Sequence, residues 1–266
     1  LINKKQKTIV TLDGKFWDKQ ELLEKMMDDE FYYNYLGVNA LSSSACKKLL
    51  DSPRAYQDSL ITKSGNDNSN FRIGHLFHWE ILEPQRYKEL HFVDVKRKDS
   101  KVYKEALAEY GSYNTYTIGE RDSAKRMVES FLGNPKTSHF LKGTRFEVPA
   151  VGEIKGLPFR AKADILGGSF IVDLKSTGDL MKFKWSARSF SYDVQAFIYC
   201  KLFDISYNNF TFVAVDKSTG GLGIFECSRE FYESGKHKTY DAIDIYKDFF
   251  IDKRKSIEEF YLYDVL

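Results

Sequence analysis

The chain has 266 residues, enough to bury a sizeable core as one large domain or as one domain with an appended lobe. Hydrophobic residues at 42% and charged residues at 29% are ordinary for a soluble globular protein, and no apolar run approaches the ~20 residues of a membrane span. Forty basic against 38 acidic residues leave a net charge of +2, so any nucleic-acid surface must be local rather than a property of the whole chain. Cys46, Cys200 and Cys227 are odd in number and lack metal-type spacing, which disfavours a disulfide framework, a four-thiolate zinc site and a four-cysteine iron–sulfur cluster.

Leu1–Val10 has no signal-peptide apolar core, and the expected location is cytoplasmic. The chain starts at Leu rather than Met, consistent with the loss of some N-terminal residues. Residues 1–40 form an N-terminal packing segment: a short apolar run at Thr8–Leu12, a turn at Asp13-Gly14, and a helical pattern from about Asp18 to Tyr35 with Leu22, Leu23, Met26 and Met27 on one stripe. Residues 41–266 make up the main domain. Leu41–Leu60, LSSSACKKLLDSPRAYQDSL, predicts two helices end to end, with Ser42, Ser43 or Ser44 capping the first and Ser52-Pro53 starting the second. The serines act as caps, or they face a phosphate together with Lys47, Lys48 and Arg54.

Thr62–Asn70 is a polar, glycine-containing loop. Phe71–Pro84, FRIGHLFHWEILEP, is helical, and His75 and His78 lie three apart on one side of it. A lone helical histidine is more often a packed residue than a ligand. Phe71 and Trp79 suit the core better than a stacking role. Lys96, Arg97 and Lys98 read as a solvated run, followed by helices over Lys101–Tyr110 and Glu120–Leu132, the second stopped by Gly133-Asn134-Pro135. Arg145–Glu153 alternates as a strand, with Glu147 pointing inward or outward.

Leu157–Ile165 and Ser169–Lys175 flank Gly167-Gly168 and read as a β-hairpin, whose tight turn calls for the positive φ that glycine tolerates. Alternation puts Arg160, Lys162 and Asp164 on one face of the first strand and Ile171, Asp173 and Lys175 on one face of the second. Two carboxylates and an amine on an otherwise apolar hairpin are costly to bury unless they bind something. As a hard-oxygen cluster they suit Mg²⁺ or Mn²⁺ held against a phosphate. Helices follow at Asp179–Arg188 and Tyr192–Phe203; the second is apolar nearly all round yet carries Gln195 and Tyr199 four apart. Strands at Asn208–Asp216 and Gly221–Cys227 and a helical tail over Arg229–Phe260 complete an α/β or α+β sheet of about five strands flanked by helices.

The paired acidic strands, GLPFRAKADIL and FIVDLKST, resemble the PD-(D/E)XK nuclease superfamily, in which an acidic residue precedes (D/E)-X-K on the next strand. LSSSACKKLLDSPRAY, GHLFHWEILEP and VQAFIY are similar to the serine-rich helix, Gly-X-X-X-His helix and Gln-X-X-X-Tyr helix of its RecB-like and RecE-like (exonuclease VIII) branch, which also resembles phage lambda exonuclease. The matching segments keep the family order from Leu41 to Phe203. The resemblance implies an α/β, restriction-endonuclease-like central mixed sheet of about five strands. It implies a metal held by His78, Asp164, Asp173 and the Leu174 carbonyl, with Lys175 catalytic beside Asp164 and Asp173, and Gln195 and Tyr199 positioning Lys175 or the DNA backbone. Ser43, Ser44, Lys47, Arg54, Arg72, Arg160 and Lys162 are the expected DNA-facing residues. Some relatives hold an iron–sulfur cluster through a cysteine just before the Pro-Arg turn; Ser52 stands there, so no cluster is expected.

The implied activity is a Mg²⁺-dependent DNA exonuclease, with Mn²⁺ able to substitute. It would digest a double-stranded end in phage-type recombination or repair, inside a bacterial or phage-infected cell. A single-strand annealing protein and a homo-oligomer are the partners this implies. An endonuclease or single-strand-specific nuclease of the same superfamily is one alternative; an inactive DNA-binding or assembly protein is another. A zinc hydrolase built on His75 and His78 lacks a third ligand at any telling spacing. His75 otherwise serves helix packing or faces DNA, while Glu80 and Glu83 are outer groups or a solvated face.

Overall fold

The computed structural model describes residues 7–61 and 69–261. Strands β1 (Thr8–Val10) and β2 (Phe16–Asp18) pair as a hairpin, and Asp18 caps α1 (Lys19–Lys25) by accepting from the Gln20 and Glu21 amides. The single helix expected from Asp18 to Tyr35 is interrupted. The Asp28 carboxylate accepts from the Glu30 amide, a local bond that competes with the helix. The chain then resumes as a wide helical turn over Phe31–Tyr35 and a short α2 (Leu36–Asn39).

As expected, Ser42 caps α3 (Ser43–Asp51), and α4 (Pro53–Ile61) starts at its proline. The loop expected at Thr62–Asn70 lies outside the described residues except for its last two positions, which open α5 (Ser69–Leu82). Next come α6 (Pro84–Lys88), β3 (His91–Val93), α7 (Lys101–Tyr110), β4 (Thr115–Thr117), α8 (Ile118–Gly133) and α9 (Pro135–His139). The parallel β3–β4 pair is absent from the sequence reading, because three-residue strands leave no periodic signal.

The central sheet runs β5 (Arg145–Ile154), β6 (Leu157–Leu166), β7 (Ile171–Thr177), β8 (Phe210–Asp216), β9 (Leu222–Glu226), in that order across the sheet. Neighbours are antiparallel except β7 and β8, whose parallel pairing needs the crossover formed by α10 (Phe183–Ser189) and α11 (Tyr192–Phe203). This is the expected mixed sheet of five strands. The tail is helical only as α12 (Arg229–Tyr246) and a wide turn over Lys247–Ile251, not to Phe260.

The main core lies between one sheet face and α3, α11 and α12, with Phe159, Ala163, Ile171, Phe197 and Phe210 at its centre. The opposite face packs Ile165, Val172, Leu174 and Val213 against α5 and α8 through Phe77, Met127 and Phe131. The N-terminal segment covers the outer part of that second face, burying Ile9, Trp17, Leu22 and Leu36 against Val151 of β5. The β6–β7 turn departs from expectation in one respect. Neither Gly167 nor Gly168 takes a left-handed φ. Gly167 is needed for space instead, since a Cβ there would stand 2.2 Å from the Phe170 ring.

Candidate metal-binding active site

Strands β6 and β7 pair only at Ile165–Val172 and Leu166–Ile171 and then splay, whereas β7 stays paired with β8 along its whole length. The gap is bridged by a side chain: Asp164 Oδ2 accepts from the Leu174 amide at 2.7 Å. Directly opposite Asp164 on β5 stands Glu147, where the otherwise regular β5–β6 register skips one pair and Glu147 takes φ +49. This left-handed kink and the splayed strands open the middle of the sheet from both sides. As a result Asp164, which shares the α5 face, and Asp173, which shares the α11 face, both reach one cleft.

From α5, His78 brings Nδ1 to 3.6 Å from Asp164 Oδ2. One potential ligand atom from each of His78, Glu147 and Asp164 lies within 4.8 Å of the others. Asp173 is 1% exposed; one carboxylate oxygen forms an ion pair with the Lys175 amine, and Oδ1 accepts from Gln195 Nε2 at 2.5 Å. The Tyr199 side chain hydrogen-bonds Gln195 in turn. The α11 pair therefore reaches Lys175 through Asp173, not directly. The Lys175 ammonium also sits 4.6 Å above the Tyr192 ring, a contact that the sequence did not single out.

Burial dominates the electrostatics. It pushes the Glu147 carboxyl up to about 7, with Glu83 adding to the rise, and it holds Asp164 well above the usual carboxylate range, reinforced by Asp173. It also raises Asp173, against the pull of Lys175 and Gln195. His78 is driven down to about 3 by burial and then by Lys175, so its imidazole is neutral and able to donate a lone pair, while the Leu174 backbone beside it pulls weakly the other way. Burial opposes the charge on Lys175, yet Asp173 keeps its amine above the ordinary value. Three acidic groups, one neutral imidazole and one ammonium in a buried cleft form a donor set that fits a hard divalent cation, whose charge would offset the repulsion among the carboxylates. Glu147 belongs to this set although the sequence left its direction open. Strand alternation alone cannot place a residue at a left-handed kink.

The remaining candidates fall into two groups. Lys47 on α3 stands 5.0 Å from the Phe190 ring, which contacts Tyr192, so that amine borders the cleft. Ser43 and Ser44 lie on the same helix; Ser44 is exposed and its Oγ is 3.0 Å from that of Ser42. Arg54 is exposed and reaches the Ile257 carbonyl at 3.5 Å. The other three cations are committed within the fold. Arg72 is 4% exposed, pairs with Glu120 at 2.8 Å and donates to the Ser112 and Thr115 carbonyls. Arg160 lies buried 4.3 Å over Tyr32, and Lys162 pairs with Asp29 at 2.7 Å. A DNA contact for Arg72, Arg160 and Lys162 is therefore withdrawn. His75 stacks on Trp79 and is absent from the ligand cluster. Glu80 and Glu83 are partly buried beside Tyr87 and Arg86, not a solvated face.

Residues 42–258 match a family model described as "PDDEXK-like domain of unknown function (DUF3799)". A crystal structure of a Eubacterium rectale protein, provisionally assigned as an exonuclease, is similar in fold with a TM-score of 0.63 at 14% identity, over 90% of this chain and 95% of that one. The crystal structure of SSO0001 aligns more weakly, at a TM-score of 0.32 and 14% identity over 66% of this chain and 84% of that chain. No curated protein sequence matches.

Proposed function

The chain belongs to the PDDEXK-like family and has its restriction-endonuclease-like sheet, and from that premise we propose that it is a divalent-metal-dependent DNA exonuclease of the RecB-like and RecE-like kind. The observation that carries this reading is the grouping of His78, Glu147 and Asp164 where β6 and β7 part, beside the Asp173–Lys175 ion pair whose carboxylate helps to raise Asp164. His78, Asp164, Asp173 and the Leu174 carbonyl would hold Mg²⁺ or Mn²⁺, with Glu147 as a further carboxylate in reach. When bound, the ion supplies Lewis acidity toward a phosphate oxygen and lowers the pKa of a water. Lys175 stays protonated, so it orients the attacking oxygen and offsets charge growing on the phosphoryl group rather than removing a proton. Gln195 fixes Asp173 and thereby the amine; Tyr199 fixes Gln195. Lys47, Arg54 and the Ser43 and Ser44 side chains at the start of α3 are the groups on hand for the DNA backbone.

Digestion of a duplex end would leave a single strand for an annealing partner, and a homo-oligomer and a cytoplasmic site of action go with that role. No helix among the described residues is long and apolar enough to cross a membrane. The test compares linear and covalently closed duplex DNA in Mg²⁺ or Mn²⁺. Linear DNA should shorten from its ends, closed circles should persist, and chelation should stop the reaction. Cutting of closed circles contradicts the exonuclease reading. Asp173→Asn should lower turnover by at least ~100-fold; unchanged turnover removes Asp173 from the mechanism.

A further inference from the structure

The two outer strands of the central sheet, β5 and β9, differ in how their free edges are protected. An edge strand presents unpaired amides and carbonyls that invite another strand, and folded proteins blunt it with proline, charge, a bulge or a cover. On β5 several of these devices are in place. Pro149 has no amide hydrogen, Glu147 breaks the strand with its left-handed kink, and β1 and α1 pack alongside. Strand β9, LGIFE, holds neither proline nor lysine, and it pairs with β8 in unbroken register. Its one charge, Glu226, stands at the end of the strand.

The register also fixes which groups are free. The Cys227 amide donates to the Phe210 carbonyl and the Asp216 amide to the Gly221 carbonyl, so Gly223 and Phe225 between them exchange their bonds with β8. Leu222, Ile224 and Glu226 therefore turn their amides and carbonyls outward, where these groups meet no partner among the described residues. A cavity of about 1000 Å³ lies against this edge, flanked by α9 and α10. Ile224 and Phe225 are consecutive and point to opposite faces of the sheet, yet both line the cavity. The space thus wraps the edge instead of covering one face. A slot between two helices, floored by the unpaired edge of a sheet, has the shape and the hydrogen-bonding pattern of one further strand.

We propose that β9 is a docking edge, to which an extended acidic segment of a partner protein adds as a sixth strand of the central sheet, seated between α9 and α10. The free edge sets the location, and charge then selects among peptides. Lys136 on α9 and Lys184 and Arg188 on α10 line the slot against a single carboxylate, Glu226, so acidic side chains on either face of the added strand meet a cation. A nucleic acid would satisfy those cations but leave the outward amides and carbonyls of β9 unpaired. A second copy of this chain would bring its own α9 and α10 into the same space, cation against cation. The docking edge stands apart from the catalytic cluster and does not depend on the nuclease reading.

The test measures fluorescence anisotropy of a labelled peptide of about ten residues, alternating valine and glutamate, on the intact chain. An added strand uses only alternate amides. Of two versions N-methylated on the two alternate sets, one should therefore bind like the parent and the other should lose binding. Ile224→Pro removes an outward amide that β8 does not use, and it should weaken the parent peptide at least ~10-fold. Lys184→Glu combined with Arg188→Glu should weaken it several-fold; both side chains are exposed, while Phe183 and Ala187 anchor α10. Circular dichroism checks the fold of each variant, and if Ile224→Pro unfolds the chain, the two methylated peptides decide alone. Absence of saturable binding overturns the docking edge. So do equal affinities of the two methylated peptides, unaltered affinity in folded variants, or oligothymidylate competing as well as the unlabelled peptide. A protein mass in sedimentation that falls on Ile224→Pro would assign the edge to a second copy and overturn it as well.

Discussion

Glu147 and Asp164 enter the fold as acids that resist ionisation, and under the proposed metal-dependent reading this would make cation binding a proton exchange. The Glu147 carboxyl rises from an ordinary 4.5 to about 7 through burial and Glu83. Between those values the folded chain keeps a proton that the unfolded chain has released, so this group's contribution to stability is present below the unfolded pKa and is lost as pH climbs through about 7. His78 works in the opposite direction. Its value falls from 6.5 to about 3, and it adds stability as pH rises to 6.5 and nothing further above that. From about pH 6.5 to pH 8 the carboxylates therefore act alone. The rise in Tm produced by Mg²⁺ should be small at about pH 6.5 and grow toward pH 8, as the ion no longer has to displace protons. A shift independent of pH across that window would exclude these carboxyls as ligands. Asp164, Asp173 and Lys175 were legible because strand alternation around Gly167-Gly168 puts them near one another, whereas His78 and Gln195 were legible only through the family resemblance. Glu147 was hidden by its kink. Arg72, Arg160 and Lys162 were misread because a cation's burial depends on distant partners, here Glu120, Tyr32 and Asp29, which no local pattern reveals.

Helix α11 was read to its end residues, Tyr192 and Phe203, because an almost wholly apolar segment has only one place to go. Its partner α12 shows how tight that place is. Gly235 lies so close to α11 that a Cβ would stand 1.9 Å from the Asp193 carbonyl oxygen. The clash is with backbone, which cannot rotate away, so the crossing requires glycine. Gly235→Ala would gain about 1 kcal/mol of helix propensity and lose more to overpacking, leaving a net loss of about 2 kcal/mol. Urea denaturation should show a lower midpoint at unchanged slope; an equal or higher midpoint would mean that the helices can separate freely. Elements set by long-range geometry were less visible. The three-residue β3 and β4 exist through their parallel pairing, and the split of the first helix follows from one Asp28 side-chain bond.

Over the whole molecule, the family match begins at residue 42, yet residues 7–40 are not a detachable ornament. Asp29 pairs with both Lys162 and Arg86, and Tyr32 covers Arg160, whose Nε has no hydrogen-bond partner. A chain beginning at Leu41 would leave two cations of β6 without their covers and expose Val151. Calorimetry should record a loss of about 2 kcal/mol or roughly 5 °C in Tm; an unchanged Tm would make the segment an independent appendage. The same weighing of fold against site applies to Glu147. A non-glycine residue at φ +49 costs about 1 kcal/mol, and its buried acid adds to the burden. Glycine there would relax both. Selection for heat resistance alone would therefore erase this side chain early, and its persistence in working homologues, set against a gain so easily had, would measure how much the chemistry depends on it.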